Sequence, residues 1–420
     1  MLAPRLPGYG EMWRRGLLSD QVCSRCLYDS SIAGISFDED GACSYCHLHD
    51  EMEVQYPTGP EGQRALEAMA KQMRAAGRGK RFDCVVGVSG GCDSSYLLYQ
   101  MVQLGVRPLA VHFDNTWNSP IATQNIYNVL EALGVELYTV VVNNKEYDDI
   151  YRSFMLAGVR DIDAPTDIGL ATTLYMAAEQ HGITHIVEGH SFRTEGISPL
   201  GWLYMDGKYI ESVHRRYGTR PMKTFPNLTL YRFLRWASIR NIRRVRPLYW
   251  MDYRKEEAKA FLARELDWEW YGGHHLENRF TAFYHSYFLP RRWEIDSRLL
   301  EHSALVRSGQ LARSDALRLL RDAPKVDPEI LGLVKKRLGF SDSEFEAVMT
   351  GPRHHYTEFQ TYKRTFERLR PLLWLLYRAD RLPKSFYVKF AHPDISGQKR
   401  GVASIREPSI QAPPGVHRAD

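Results

Sequence analysis

The stretch Asp83-Cys84-Val85-Val86-Gly87-Val88-Ser89-Gly90-Gly91-Cys92-Asp93-Ser94-Ser95 leaves this chain few folds to choose from. The apolar run from Cys84 to Val88 reads as a buried strand. Ser89-Gly90-Gly91 breaks it, and Asp93-Ser94-Ser95 opens a helical spacing carried by Tyr96, Leu97, Leu98 and Met101. Strand, glycine turn and helix start together form a cradle for an anion. Glycines let backbone N–H groups come close, and the helix N-terminus adds partial positive charge. The Lys-Ser/Thr pair of the common phosphate loop is absent, and so is the third spaced glycine of the dinucleotide fingerprint. A plain Ser/Asp-capped helix would use some of the same residues. Six residues of one pattern in this setting favour the anion cradle.

The segments after it alternate. Strands are expected at 83–88, 107–113, 135–142 and 183–188, and helices at 94–104, 119–133, 146–157 and 166–181, with a lead-in helix over 61–79. That rhythm predicts an α/β fold with a doubly wound parallel sheet and ligands at the carboxyl ends of its strands. Three such ends carry polar residues: Ser89 to Ser95, His112 to Asn115, and Glu188-Gly189-His190. Beyond Gly196 the rhythm is expected to stop. Residues 196–250 interleave aromatic and basic side chains, with a helix over 228–242 that presents a basic face, and another helix runs over 252–266 from Asp252. Residues 295–349 read as helical, with Arg313 to Ala316 and Ser341 to Glu344 as capping-box-like starts.

Cys23-Ser-Arg-Cys26 and Cys43-Ser-Tyr-Cys46 form two knuckles sixteen residues apart. Two Cys-x-x-Cys pairs can place four thiolates around one zinc, and four protein ligands leave no open position, so the expected metal is structural. Ile35 to Phe37 is a candidate short strand between them, and His47 and His49 are expected at the surface. Four free thiols or two redox pairs are the plainer alternatives. The balance of 55 basic against 50 acidic residues does not by itself point to nucleic acid, and no apolar run approaches a membrane span. A cytoplasmic protein is expected, built as an extension (1–20), a zinc-knuckle module (21–60), a nucleotide domain (61–195), a mostly helical substrate region (196–350) and a C-terminal helix with a mobile tail (351–420).

The Ser-Gly-Gly-x-Asp-Ser string resembles the pyrophosphate loop of the ATP pyrophosphatase superfamily, which has the adenine nucleotide α-hydrolase-like fold. Taken with Gly189-His190-Ser-Phe-Arg193-Thr-Glu195-Gly, Lys223-Thr-Phe-Pro-Asn227 and Trp270-Tyr-Gly-Gly-His-His275-Leu-Glu277-Asn278-Arg279-Phe-Thr281, it resembles the N-acetyl sugar amidotransferases of bacterial surface polysaccharide biosynthesis, including lipopolysaccharide O-antigen. Three departures stand out. Cys92 replaces the usual Val, His274 an expected Lys, and Arg291-Arg292 a lysine-rich pair.

The resemblance implies that ATP is used to adenylate the N-acetyl oxygen of a nucleotide-linked sugar, and that ammonia then displaces AMP to leave an acetamidino group. It implies Ser89, Asp93 and Ser94 as catalytic residues, with Gly90, Gly91 and Ser95 also holding phosphates and Asp93 carrying Mg²⁺. Val88, Phe113, Asp114, Asn115, Gly189 and His190 complete the ATP set. Arg193 would grip a substrate anion, joined by Glu195, Lys223, His275, Glu277, Asn278 and Arg279, while Cys23, Cys26, Cys43 and Cys46 would hold Zn²⁺. The chain shows no glutaminase elbow, so a separate glutaminase subunit is the expected source of ammonia; neither membrane nor nucleic acid is an expected partner. The alternative is a tRNA-modifying, thiolation-type ATP pyrophosphatase, which needs a sulfur-carrying cysteine. Only Cys84 and Cys92 lie in the ATP domain, one in a strand and one in the loop.

Overall fold

The strands are short and apolar, and their alternating residues feed two cores. β1 (Cys84–Gly87), β2 (Pro108–Asp114), β3 (Leu137–Val141), β4 (His185–Val187) and β5 (Arg243–Val245) form one sheet in the order β3-β2-β1-β4-β5. Every pairing is parallel. Cys84 and Val86 of β1 point into one core, and Val85 into the other, as the period-2 geometry of a strand requires. The first core is closed by α1 (Gly59–Ala76), α2 (Cys92–Gln103), α3 (Pro120–Leu133) and the helix Lys255–Glu265. The second is closed by α5 (Ala164–Gln180) and Trp236. α4 (Asn144–Leu156) belongs to a third, larger core with the helices after Arg279. This computed structural model describes residues 21–391 apart from positions 200, 274, 380 and 383.

β5 corrects the expectation that the alternation ends at Gly196. Arg243-Arg244-Val245 is too charged to read as a strand, yet it pairs with His185 to Val187 at the sheet edge. Glu188, at the end of β4, neutralises Arg244 and lies 3.1 Å from the Arg246 guanidinium, so the charge that hides the strand is internally paired. The helix expected over 228–242 is shorter, Leu230–Leu234 continuing as a wider π turn over Arg235–Ile239. Asp252 does not cap the next helix, which begins at Lys255 after Arg254. Ser341 does form a capping box with Glu344, whereas Arg313 follows an uncapped Ala312.

The zinc-knuckle module packs against the C-terminal helical region. Its core joins Tyr28, Ile32 and Tyr45 to Leu299, Ala316 and Leu320. Phe37 pairs with Cys43 as an isolated bridge rather than as part of a strand. His47 is exposed and paired with Asp38. His49 is buried, contrary to expectation, with its ring edge-on to Phe192. The expected extension 1–20 and the tail beyond 391 lie outside the described residues, as does His274. Among the described residues no helix is long and apolar enough to cross a membrane.

Candidate active site and metal centre

The strand order reverses at β1, which has β2 on one side and β4 on the other. In an open parallel sheet that reversal opens a crevice beyond the strand ends, the usual ligand position. A cavity of about 2590 Å³ begins there, lined by Val88, Ser89, Gly91, Asp93 and Ser94 after β1, Phe113 and Asn115 after β2, and Gly189, His190 and Glu195 after β4. A drug-sized ligand typically fills 300–1,000 Å³, so the space accommodates two substrates together.

The loop between β1 and α2 is held open by its glycines. Gly90 has φ +78°, and a Cβ there would sit 2.1 Å from the Ala122 carbonyl oxygen. Its own carbonyl accepts from Trp268 Nε1 at 2.9 Å and Asn125 Nδ2 at 3.2 Å. Gly90→Ala is therefore expected to displace the loop and reduce ATP binding by at least roughly tenfold, since side chains at positive φ and such contacts cost on the order of 1–3 kcal/mol; nucleotide titration monitored by calorimetry checks it. Ser89 Oγ lies 3.4 Å from Ser94 Oγ. Asp93 sits in the first turn of α2, and the Tyr253 hydroxyl donates to its Oδ1. A carboxylate oxygen fixed at the cavity wall is the ligand type Mg²⁺ prefers.

Segment 268–281 folds over this loop. Ser119 N–H donates to the Glu277 carbonyl at 2.8 Å and Arg279 N–H to the Trp117 carbonyl at 2.7 Å, stitching the segment to the end of β2. Glu277 Oε1 reaches within 3.4 Å of Ser89 Oγ, while its buried Oε2 has no hydrogen-bond partner. His275 Nδ1 is 4.0 Å from the Glu277 carboxylate. Asn278 Nδ2 donates to Asn115 Oδ1 at 2.8 Å, and Asn278 Oδ1 caps the helix Arg279–Phe283. Burial and the nearby Asp93 carboxylate push the Glu195 carboxyl well above the usual carboxylate range. Burial holds His190 down at about 3, hence neutral, with Nδ1 3.0 Å from the Tyr249 hydroxyl.

Several expected site residues lie elsewhere. Arg193 is buried, and its fork closes on Glu53 at 2.6 and 2.8 Å, with further bonds to the Tyr249 and Tyr56 carbonyls. It locks the helix Ser44–Gln55 of the knuckle module to the segment after β4 and does not line the cavity. Arg279 faces Asp327 and Glu329 outside the cavity. Lys223 is exposed; the backbone of Lys223 to Phe225 wraps the Glu146 carboxylate. Asp114 accepts from Thr116 N–H and Ser95 is buried inside α2, so neither borders the cavity. Two wall residues escaped the sequence reading, Asp163 and Thr281, joined by a 2.9 Å hydrogen bond. Their signal was faint: one Asp before a Pro-initiated helix, and the last residue of a long motif.

The four knuckle sulfurs converge. Cys23–Cys46, Cys26–Cys43 and Cys43–Cys46 Sγ separations are each 3.7 Å. A disulfide would need about 2.05 Å; four bonds of about 2.3 Å to a tetrahedral zinc put sulfurs about 3.75 Å apart. Backbone N–H groups of Arg25, Cys26 and Cys43 point at Cys23 Sγ, and the Arg307 guanidinium at Cys26 Sγ, 3.1 Å away. The set fits a Cys₄ zinc, its negative charge offset by these donors. Cys43→Ser is expected to release the metal and unfold the module; metal content by plasma mass spectrometry, expected at one zinc per wild-type chain, is the check.

Residues 277–372 match the family model described as the LPS biosynthesis protein WbpG-like, C-terminal domain. That match supports the resemblance to N-acetyl sugar amidotransferases drawn from the motifs. The matched segment starts at Glu277, the residue that meets the glycine loop after β1. No curated protein matches the chain. Similar solved structures include NMN synthetase from Francisella tularensis, at 14% identity over 68% of this chain and 94% of that one, TM-score 0.29. Another is the U34-tRNA thiolase NcsA from Methanococcus maripaludis with its [4Fe-4S] cluster, at 12% over 77% and 98%, TM-score 0.24.

Proposed function

We propose that this chain is an ATP-dependent amidotransferase. It adenylates the N-acetyl oxygen of a nucleotide-linked sugar, and ammonia then displaces AMP to give an acetamidino sugar for surface polysaccharide. The carrying observation is that Glu277, the first residue of the WbpG-like domain, stands 3.4 Å from Ser89 of the phosphate loop, so both segments border one cavity.

An amide carbonyl is a poor electrophile, and attaching AMP to its oxygen makes a leaving group. The oxygen–phosphorus bond forms as the α,β-phosphate bond breaks, releasing pyrophosphate. Ammonia then adds to the imidate carbon and gives up one proton, and the carbon–oxygen bond breaks to release AMP and leave the protonated amidine. Ser89, Gly91 and Ser94 bind the departing pyrophosphate; Asp93 would hold Mg²⁺, which would offset phosphate charge. Val88, Phe113 and Asn115 border the adenine. Glu195, His275, Glu277 and Asn278 face the sugar, and Glu277, held ionised beside His275, accepts a proton from the attacking nitrogen. No protein nucleophile is needed, so the gain comes from positioning and charge stabilisation. Both thiols of the nucleotide domain are buried, and burial pushes Cys92 up to about 12, which disfavours a sulfur-carrying role. ATP and nucleotide sugars place the reaction in the cytoplasm.

A separate glutaminase supplies ammonia in this reading, because an open adenylate would hydrolyse. The test is AMP release by the purified chain with a panel of nucleotide-linked N-acetyl sugars. Ammonium is expected to support turnover and glutamine to fail until the partner is added. AMP release dependent on tRNA and a sulfur donor would overturn the assignment.

A further inference from the structure

We infer that the outer face of the helix Arg370–Arg378 docks on an anionic lipid surface. Its inner face is spent on the core, through Leu373 and Leu376. The outer face carries Leu372, Trp374 and Leu375, exposed by 41%, 40% and 58%. Among the described residues, three of the eleven exposed large apolar side chains thus fall within four consecutive positions.

Arginines border this patch. Arg364, Arg368, Arg370 and Arg378 are exposed and enter no ion pair among the described residues. The Arg378 guanidinium lies 5.6 Å from the Trp374 ring centroid. From Lys363 to Arg381 the chain holds six basic residues and two acidic ones. Apolar Leu and Trp side chains flanked by arginines match the boundary between acyl chains and headgroups. Three apolar side chains alone would hold weakly; added basic charge is the second signal that such binding needs.

The charge also selects the occupant. A second copy of this face would bring like charge against like. The segment 392–420 holds four basic and three acidic residues, so it offers no complementary charge. An anionic bilayer satisfies both the arginines and the apolar edge. Arg370, Trp374 and Arg378 also line the far end of the cavity, so docking would turn that end toward the lipid. This inference does not depend on the reaction proposed above.

The test is sedimentation of the full-length protein with vesicles of phosphatidylcholine alone or with added phosphatidylglycerol. Binding is expected only with phosphatidylglycerol and is expected to weaken at high salt. Arg368→Gln/Arg370→Gln/Arg378→Gln should lower affinity roughly hundredfold, about fivefold per arginine. Leu372→Ser/Leu375→Ser should remove binding, and Trp374→Phe should remove the fluorescence blue shift on vesicle addition. If a variant misfolds, the headgroup and salt preference of the wild-type chain still decides. Equal binding to both vesicle types, or none to either, overturns the inference. So does a dimer, seen by sedimentation velocity, that Leu372→Ser/Leu375→Ser dissociates.

Discussion

Asp93→Asn is expected to lower AMP formation about a thousandfold, the scale seen when a charge-stabilising group is removed from a transition state. The substitution keeps the shape of the side chain and leaves an oxygen to accept from the Tyr253 hydroxyl. What it removes is the negative charge that would hold Mg²⁺ at the loop. Melting should therefore stay close to wild type while turnover collapses. Cys92→Val is the matched control one residue away. Cys92 is buried, with only a 3.5 Å contact between Sγ and the Tyr253 hydroxyl, so that variant should remain active. Pulsed measurement of pyrophosphate release separates the two. An active Asp93→Asn with a dead Cys92→Val would mean that the chemistry runs through the thiol.

Arg193→Ala should act on stability rather than on substrate affinity. The guanidinium satisfies two backbone carbonyls and both oxygens of Glu53. Losing one partner of a buried, hydrogen-bonded pair costs on the order of 3–5 kcal/mol. Glu53 is 38% exposed and can take up water when freed, which argues for about 2–3 kcal/mol here. Denaturant unfolding should show that loss, and the KM for the sugar in the surviving native fraction should be unchanged. A large rise in sugar KM without loss of stability would return Arg193 to the substrate.

The contrast between Asp93 and Arg193 shows what was legible in the sequence. The Asp93 loop is local: strand, glycines and helix start are contiguous, and backbone sterics leave that string few conformations. The knuckle cysteines are equally local, and four sulfurs within 4.8 Å of one another follow from their spacing. Arg193 sits in a comparable motif, but its partner Glu53 is 140 residues away. Nothing in the neighbouring sequence says whether an arginine meets a ligand or a distant carboxylate. Lys223 and Arg279 erred the same way, since basic residues in a motif were read as ligand contacts when the structure spends the motif's backbone on Glu146 and Trp117. β5 was hidden because Arg243-Arg244 looks solvated until Glu188 is placed beside it. Asn278 was legible as part of the site but not in its manner of action, which is to cap a helix and bond Asn115.

The central claim is that an amide oxygen leaves and a nitrogen takes its place. Mass spectrometry of the nucleotide sugar, after parallel incubations with ATP, Mg²⁺ and either ¹⁴N- or ¹⁵N-ammonium, reads this directly. The account predicts a product in which the N-acetyl oxygen is replaced by one labelled NH, formed one for one with AMP, and cationic at neutral pH because an amidine is a strong base. An unchanged sugar mass with ¹⁴N-ammonium alongside AMP formation, or label that stays in ammonium while another acceptor is modified, would contradict it.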